Sequence, residues 1–245
     1  MRSWRLLLLS EAKMTIRDYA GLIVPLGLPV LILITSAGMG GEEVLPNGMT
    51  VLDVYILPVV LTVVIAMIGI VNMPSFLSGY RRNGVLRQLA VTPISPFRVV
   101  GAQVIVSLAQ AILGIALAFA VAVLAFGARP PANLTGALAV FGLAVLAMYA
   151  LGATVAAIAP SQNAAIALGL VLFLGLGAVG GMFGGLASLP EPVAAVGRLL
   201  PFGASSEALS AVWSGAPVPL ELAVALGFWA LVGTAVSLLT FRWDR

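Results

Sequence analysis

Six apolar stretches, each long enough to cross a bilayer, alternate along the chain with short polar or proline-rich connections. They cover residues 19–39, 54–73, 99–127, 134–159, 164–185 and 220–241. A bilayer core about 30 Å thick needs roughly 20 apolar residues in a helix. None of the six has an Asp, Glu, Lys or Arg in its middle. The two-residue alternation of a barrel strand is absent, which leaves helices as the spanning element that satisfies every backbone group in lipid. The pattern predicts an all-α membrane protein with six transmembrane helices.

Two segments outside the spans are also patterned. Ahead of the first span, Arg2, Arg5, Lys13 and Arg17 fall within about a 120° arc at 100° per residue. Trp4, Leu7 and Met14 lie roughly opposite, and Glu11 and Asp18 share that side. The leucine run at 6–9 is too short for a signal peptide and is followed at once by charges. Residues 1–18 therefore read as an N-terminal interfacial helix and 19–245 as the transmembrane domain. Trp4, Arg5, Lys13 and Arg17 would be its interface residues, snorkelling to anionic headgroups, touching a cytoplasmic partner, or both. The stretch 185–219 contains Pro190, Pro192, Pro201, Pro217 and Pro219 around an apolar run at 193–204. That run is too short to span, so short extracellular helices are expected before the last span. They would dip into the outer leaflet or cap the bundle.

Composition agrees with lipid as the main solvent. The 245 residues are 61% hydrophobic and 9% charged, with a mean hydropathy of +1.15. A soluble domain carries roughly 25% charged residues to meet water. Placement of the few charges sets the orientation. With six spans, Arg2, Arg5, Lys13, Arg17, Arg81, Arg82, Arg87, Arg98, Arg242 and Arg245 share one side, and Arg129 and Arg198 fall on the other. Basic residues collect on the cytoplasmic side, so both termini are expected there, in a multi-pass protein of the plasma membrane. Glu42, Glu43, Asp53, Glu191, Glu207 and Glu221 are expected outside.

The residue inventory removes several chemistries. Histidine and cysteine are absent, which takes away the commonest general base, thiolate nucleophiles and the commonest metal ligands. A phosphate-binding loop ends in Lys-Ser or Lys-Thr, whereas the single lysine, Lys13, precedes Met14. No catalytic residue, metal site or nucleic-acid partner is expected. Ion-coupled carriers hold ionisable residues inside the membrane. Here the middles of the spans lack them, and Asp53 stands at the outer edge of span two, where it reads as an interface charge. Backbone carbonyls at broken helices can also bind sodium, so an ion-coupled transporter or channel stays an alternative, as does a non-transporting membrane scaffold.

The connection at 72–102 is the most informative. It includes Tyr80-Arg81-Arg82-Asn83-Gly84-Val85-Leu86-Arg87-Gln88-Leu89-Ala90-Val91-Thr92-Pro93. Gly84 can break the chain, and Pro93 and Pro96 end any helix between them, so a short helix is expected at about 85–91. Val85, Leu86 and Leu89 give it an apolar edge; Arg81, Arg82 and Arg87 supply charge. Such a two-faced helix suits docking by another protein, or it is a basic loop that serves topology alone.

This segment resembles the permease subunits of ABC-2 type exporters, the group that contains the daunorubicin-resistance-like drug permeases. Their pattern after the second span is Tyr-Arg-Glu-x-Gly-x-Leu-x-x-Leu-x-x-Thr-Pro. Tyr80, Arg81, Gly84, Leu86, Leu89, Thr92 and Pro93 match it in register. Arg82 stands where the family has an acid, which implies a reversed or different contact there. Leu200-Pro201 followed by Glu207-Ala208-Leu209 is similar to the family's segment before span six, and Phe241-Arg242-Trp243 to its usual ending.

The resemblance implies a half-transporter for multidrug export and antibiotic resistance. Two permease chains, identical or sister chains, would sit in membrane lipid above two separate ATP-binding-cassette ATPase subunits. ATP and Mg would reside on those ATPases, with no cofactor on this chain. Arg81, Arg82, Gly84, Leu86, Arg87 and Leu89 would form the ATPase-coupling helix, with the N-terminal helix beside it. The pathway would lie at the dimer centre, nearest spans one, two and five. Thr62, Met67 and Asn72 in span two, and Phe173, Met182 and Phe183 in or near span five, are the candidate pathway residues. Met and Phe make adaptable apolar surfaces, which favours a hydrophobic, amphipathic or lipid-like substrate. Glycine pairs Gly177/Gly181, Gly180/Gly184 and Gly181/Gly185 have the spacing of close helix packing. Pro25 and Pro29 are expected to kink or loosen span one. Both features serve either a dimer contact or packing within the chain.

Overall fold

The computed structural model describes residues 2–46, 48–82 and 96–240. Among them the fold is all helix, with a single isolated bridge between Val44 and Thr50. Helix α1 (Arg2–Arg17) leads into α2 (Tyr19–Gly38) across Asp18, whose Oδ1 accepts from the Gly21 amide at 3.0 Å and caps α2. Helix α3 occupies 52–82, α4 is Pro96–Phe126, α5 is Leu134–Ile158 and α6 is Gln162–Val179. Two shorter helices follow, α7 (Glu191–Leu199) and α8 (Pro201–Ser214), before α9 (Leu220–Thr240). Ser161 and Asn133 cap α6 and α5 through their side chains, satisfying amides that a helix start leaves free. Six of these helices are long and apolar enough to cross a membrane. Pro25 and Pro29 lie within α2, which nevertheless stays helical throughout.

Helix α3 is the axis of the bundle. Its apolar window is 83% buried, against 22–44% for the other five spans. It continues well past the predicted end at Met73, reaching Arg82. The helix changes register twice, through π-helical turns at Leu52–Ile56 and Met67–Asn72. A proline stands two residues after the end of each turn, Pro58 after the first and Pro74 after the second. A proline cannot donate to the carbonyl four residues back. The wider turn redistributes those bonds, with the Leu57 amide reaching Leu52 O and the Met73 amide reaching Ile68 O. Bulges of this kind let a proline-bearing helix run on instead of ending.

Glycines bring neighbouring helices against the second bulge. Gly152 of α5 lies so close to the Gly69 carbonyl that a Cβ there would overlap the oxygen. A Cβ on Gly169 of α6 would stand 2.5 Å from Ile70 O. Tyr149 covers Gly69, and Met148, Phe173 and Met182 complete one apolar core around residues 63–80 of α3. A second core surrounds its other half and draws on α2, α4, α5, α8 and α9. Helix α8 belongs inside this second core. Phe202, Ala204, Ala208, Leu209, Val212 and Trp213 are all buried, so the pre-span-six segment fills the bundle.

The glycine-rich end of span five differs from expectation. Helix α6 stops at Val179, and Gly181, Gly184 and Gly185 take positive φ values of 83°, 126° and 80° in the turn that follows. They are there because L side chains resist that conformation. Gly177 packs on the Met182 sulfur, and Gly180 approaches the Gly203 backbone of α8. Both contacts lie within the chain, so the predicted stripe of close-packing glycines resolves into a turn and an α6–α8 crossing.

Candidate functional site: a polar layer and a cavity at the α1 end

Polar side chains are concentrated where α1, the start of α2, the last turns of α3 and the first turns of α4 meet. Asn72, at the end of the second π turn, donates to Gly21 O at 2.9 Å and to Gln110 Oε1 at 3.0 Å. Gln110 in turn donates to the same Gly21 carbonyl at 2.7 Å. Two side-chain amides from α3 and α4 thus converge on one carbonyl in the first turn of α2. Gln103, Ser107 and Gln110 stand at i, i+4 and i+7 on α4 and are all buried. Ser75 and Ser78 extend the layer along α3, also buried. A buried amide must be hydrogen-bonded or it costs about 1–3 kcal/mol, so this layer fixes the mutual register of α2, α3 and α4.

Helix α1 joins the layer with its polar face. Glu11 and Thr15 point into the protein, while Arg5, Lys13 and Arg17 are exposed together with Leu6, Leu9 and Ile16. Trp4 is half-buried against Gly101 of α4. Tyr80 donates its hydroxyl to the Glu11 carboxylate and lies 4.0 Å from the Met14 sulfur. Burial holds the Glu11 carboxyl above the usual carboxylate range, and the Tyr80 hydrogen bond opposes this more weakly. Around the pair is a cavity of about 590 Å³, walled by Leu7, Glu11, Met14, Phe76, Tyr80 and Val99, with Ser10, Arg17, Asp18, Gly79 and Gln162 completing it.

The predicted site residues separate into three groups. Arg81 and Arg82 are the last two residues of α3, next to Tyr80; Gly84, Leu86, Arg87 and Leu89 lie outside the described residues. Of the pathway candidates, Met67, Phe173 and Met182 share the first apolar core. Thr62 is fully buried and bonds Pro58 O in its own helix at 2.8 Å, and Asn72 sits in the amide knot. Phe183 is exposed, in the glycine turn. Within one chain, then, five of the six candidates are enclosed by its own helices. Replacing Asn72 by leucine should remove both of its hydrogen bonds and strand Gln110, costing about 1–3 kcal/mol. The melting temperature in detergent should fall by several degrees, whereas Thr62→Val should barely move it.

At the far end, Asp53 departs from its expected role as an interface charge. It is fully buried, accepts from the Thr50 hydroxyl at 2.9 Å and from the Arg129 amide at 2.8 Å, and so pins the α4–α5 connection to the start of α3. The Arg129 guanidinium holds Gly48 O at 3.1 Å and its carbonyl accepts from Trp213 Nε1 at 3.0 Å. Arg198 bridges Glu207 at 3.4 Å and Glu191 at 3.9 Å near a second cavity of about 390 Å³. These are partly exposed pairs and contribute little to stability.

The buried amides on α4 escaped the charge-based reading of the spans. Their i, i+4, i+7 spacing was the signal available. Among the described residues, no three carboxylates gather into a metal-binding group. The buried α3 emerges beside α1 at Arg81 and Arg82, where the basic loop begins.

Comparison with known proteins agrees with that architecture. No curated protein is significantly similar to the chain. The sequence model of the ABC-2 family transporter proteins matches residues 17–242, which takes in all six spans and both connections discussed above. The chain therefore belongs to the ABC-2 transporter family, as one of its membrane-embedded subunits.

Proposed function

We propose that the chain is the permease subunit of an ATP-driven exporter for a hydrophobic drug-like or lipid-like substrate, resident in the plasma membrane with both termini in the cytoplasm. The carrying observation is the family match across nearly the whole chain, joined to six helices of membrane-spanning length. The chain carries no phosphate-binding lysine motif, so ATP and Mg would be held by separate ATPase subunits, two to a complex. Two permease chains, identical or sister, would pair around the pathway. ATP-driven closure of the ATPases would push on the 81–89 segment and reorient α3 in each half. The exposed face of α1 carries bases and leucines side by side, a combination that suits the headgroup region of an anionic leaflet. Exposed Phe183 is the pathway candidate free to meet a substrate or a second chain.

The test is to purify the tagged chain from its native membranes in mild detergent and identify what accompanies it. A stoichiometric partner with a phosphate-binding lysine motif, and ATP hydrolysis by the complex, is the expected outcome. Recovery of the chain without an ATPase, even after crosslinking, would overturn the exporter reading and return an ion-coupled carrier or scaffold to the front.

A further inference from the structure

Among the described residues, the buried carboxylate at the α1 end forms no ion pair. Glu11 is 4% exposed, and its partner is the neutral hydroxyl of Tyr80. Among the described residues, the ion pairs are those of Arg198 at the opposite end of the bundle. Asp18, the other acid on the cavity wall, is already engaged with the Gly21 amide as the cap of α2. Arg17 is exposed, free to keep its charge in water. A carboxylate taken out of water without a counter-ion is costly, and the usual remedies are protonation or a bound cation.

The rest of the cavity suits the second remedy. Its volume is about 590 Å³, enough for a bulky organic molecule. Phe76 and Tyr80 offer aromatic surface, Met14 a thioether, Leu7 and Val99 aliphatic walls. Aromatic faces attract cations by their quadrupole, more strongly where water is excluded, and apolar walls reward a hydrophobic body. An anion would gain the walls but meet Glu11 as a like charge.

We infer that this cavity binds a lipophilic organic cation, with Glu11 as its counter-ion. Its cytoplasmic position, and any part in collecting cargo from the inner leaflet, rests on the exporter reading; binding by the chain alone does not. The sign of the pH effect follows from Glu11. Its carboxyl is held above the ordinary range, and the protonated form has no charge to offer. Cation affinity should rise as pH rises through that shifted range, and binding below it should release a proton. Among the described residues, the other charged or titratable groups on the wall are Arg17 of α1, Asp18 at the cap of α2 and Tyr80 of α3, while α4 and α6 contribute Val99 and Gln162.

The probes are tetraphenylphosphonium and tetraphenylborate, nearly the same in shape and opposite in charge. Binding to the purified chain in maltoside micelles is measured by equilibrium dialysis, with empty micelles subtracted. The expected result is saturable binding of one phosphonium per chain that tightens with pH, and no comparable site for the borate. Glu11→Gln keeps an acceptor for Tyr80 but loses the charge; it should weaken binding at least ten-fold and abolish the pH dependence, while Glu207→Gln at the far end leaves both unchanged. Equal phosphonium binding by wild type and E11Q, or equally good borate binding, would overturn the proposal. Proton release on mixing the wild type with phosphonium needs no variant, and its absence across the pH range, or uptake instead, would overturn it too. No ATPase is present in these measurements, so their failure leaves the co-purification result standing, and the reverse holds as well.

Discussion

Gly152→Ala should unfold or severely destabilise the chain, while Gly142→Ala, less than three turns earlier on the same helix, should be harmless. The two substitutions add the same methyl group and gain the same helix propensity, up to about 1 kcal/mol. They differ in what the methyl meets. At Gly142 there is open space, with no atom within 4 Å of the new Cβ. At Gly152 the Cβ would overlap the Gly69 carbonyl oxygen and press on Pro74. Both of those neighbours are backbone or ring of α3, the most buried helix in the molecule, and neither can rotate away. Helices α3 and α5 must separate, which also breaks the contacts of Tyr149 and Met148 with Gly69. Overpacking a core costs about 1–3 kcal/mol where side chains can yield, and more is expected where backbone faces backbone. The measurement is monodisperse yield and melting temperature in detergent. Equal behaviour of the two variants would mean that the α3–α5 crossing is not as close as described.

That crossing also shows what the sequence could and could not disclose. The six spans were legible because each is a long apolar run. The family resemblance was legible because turn-forming residues at fixed offsets survive in one dimension. Burial within the membrane was not. A helix facing lipid and a helix facing protein are equally apolar, so nothing in the composition of 201–214 distinguished a surface cap from the buried helix α8. The same limit explains Thr62, Met67, Phe173 and Met182, which read as adaptable pathway surface and are enclosed by the chain's own helices. Glycine spacing was ambiguous for a different reason. The run from Gly177 to Gly185 satisfied the pattern for close helices, yet several of its members are needed for positive φ. Gly69, Gly152 and Gly169, which do make the close approaches, are single glycines in three different helices. Only their pairing across space reveals them. Helix α1 turns the side that holds Trp4, Leu7 and Glu11 toward the bundle, together with Thr15, and leaves the bases with Leu6 and Leu9 on the outer face.

Charge reversal at Arg81, Arg82 and Arg87 should have the largest effect on function. The triple variant Arg81→Glu, Arg82→Glu and Arg87→Glu is expected to lower the ATPase activity of the assembled complex at least ten-fold while leaving the chain inserted. Two physical points separate these outcomes. Orientation depends on the excess of bases on one side, and acidic residues weigh little in it. Arg2, Arg5, Lys13, Arg17, Arg98, Arg242 and Arg245 remain on that side against Arg129 and Arg198 on the other, so topology should hold. Docking is less forgiving, because like charges brought together at an interface cost several kcal/mol, and two permease chains would each contribute the fault. The position of the first two arginines makes a local error costly. They close α3 immediately after Tyr80, whose hydroxyl ties that end of the helix to α1 through Glu11. In the proposed coupling, a push received there would pass along the buried α3 toward the Gly69–Gly152 crossing. The assay pairs ATP hydrolysis in reconstituted vesicles with accessibility of an N-terminal tag. Full hydrolysis by a correctly inserted variant would remove the coupling role from this segment. Loss of insertion would instead identify the arginines as topological determinants.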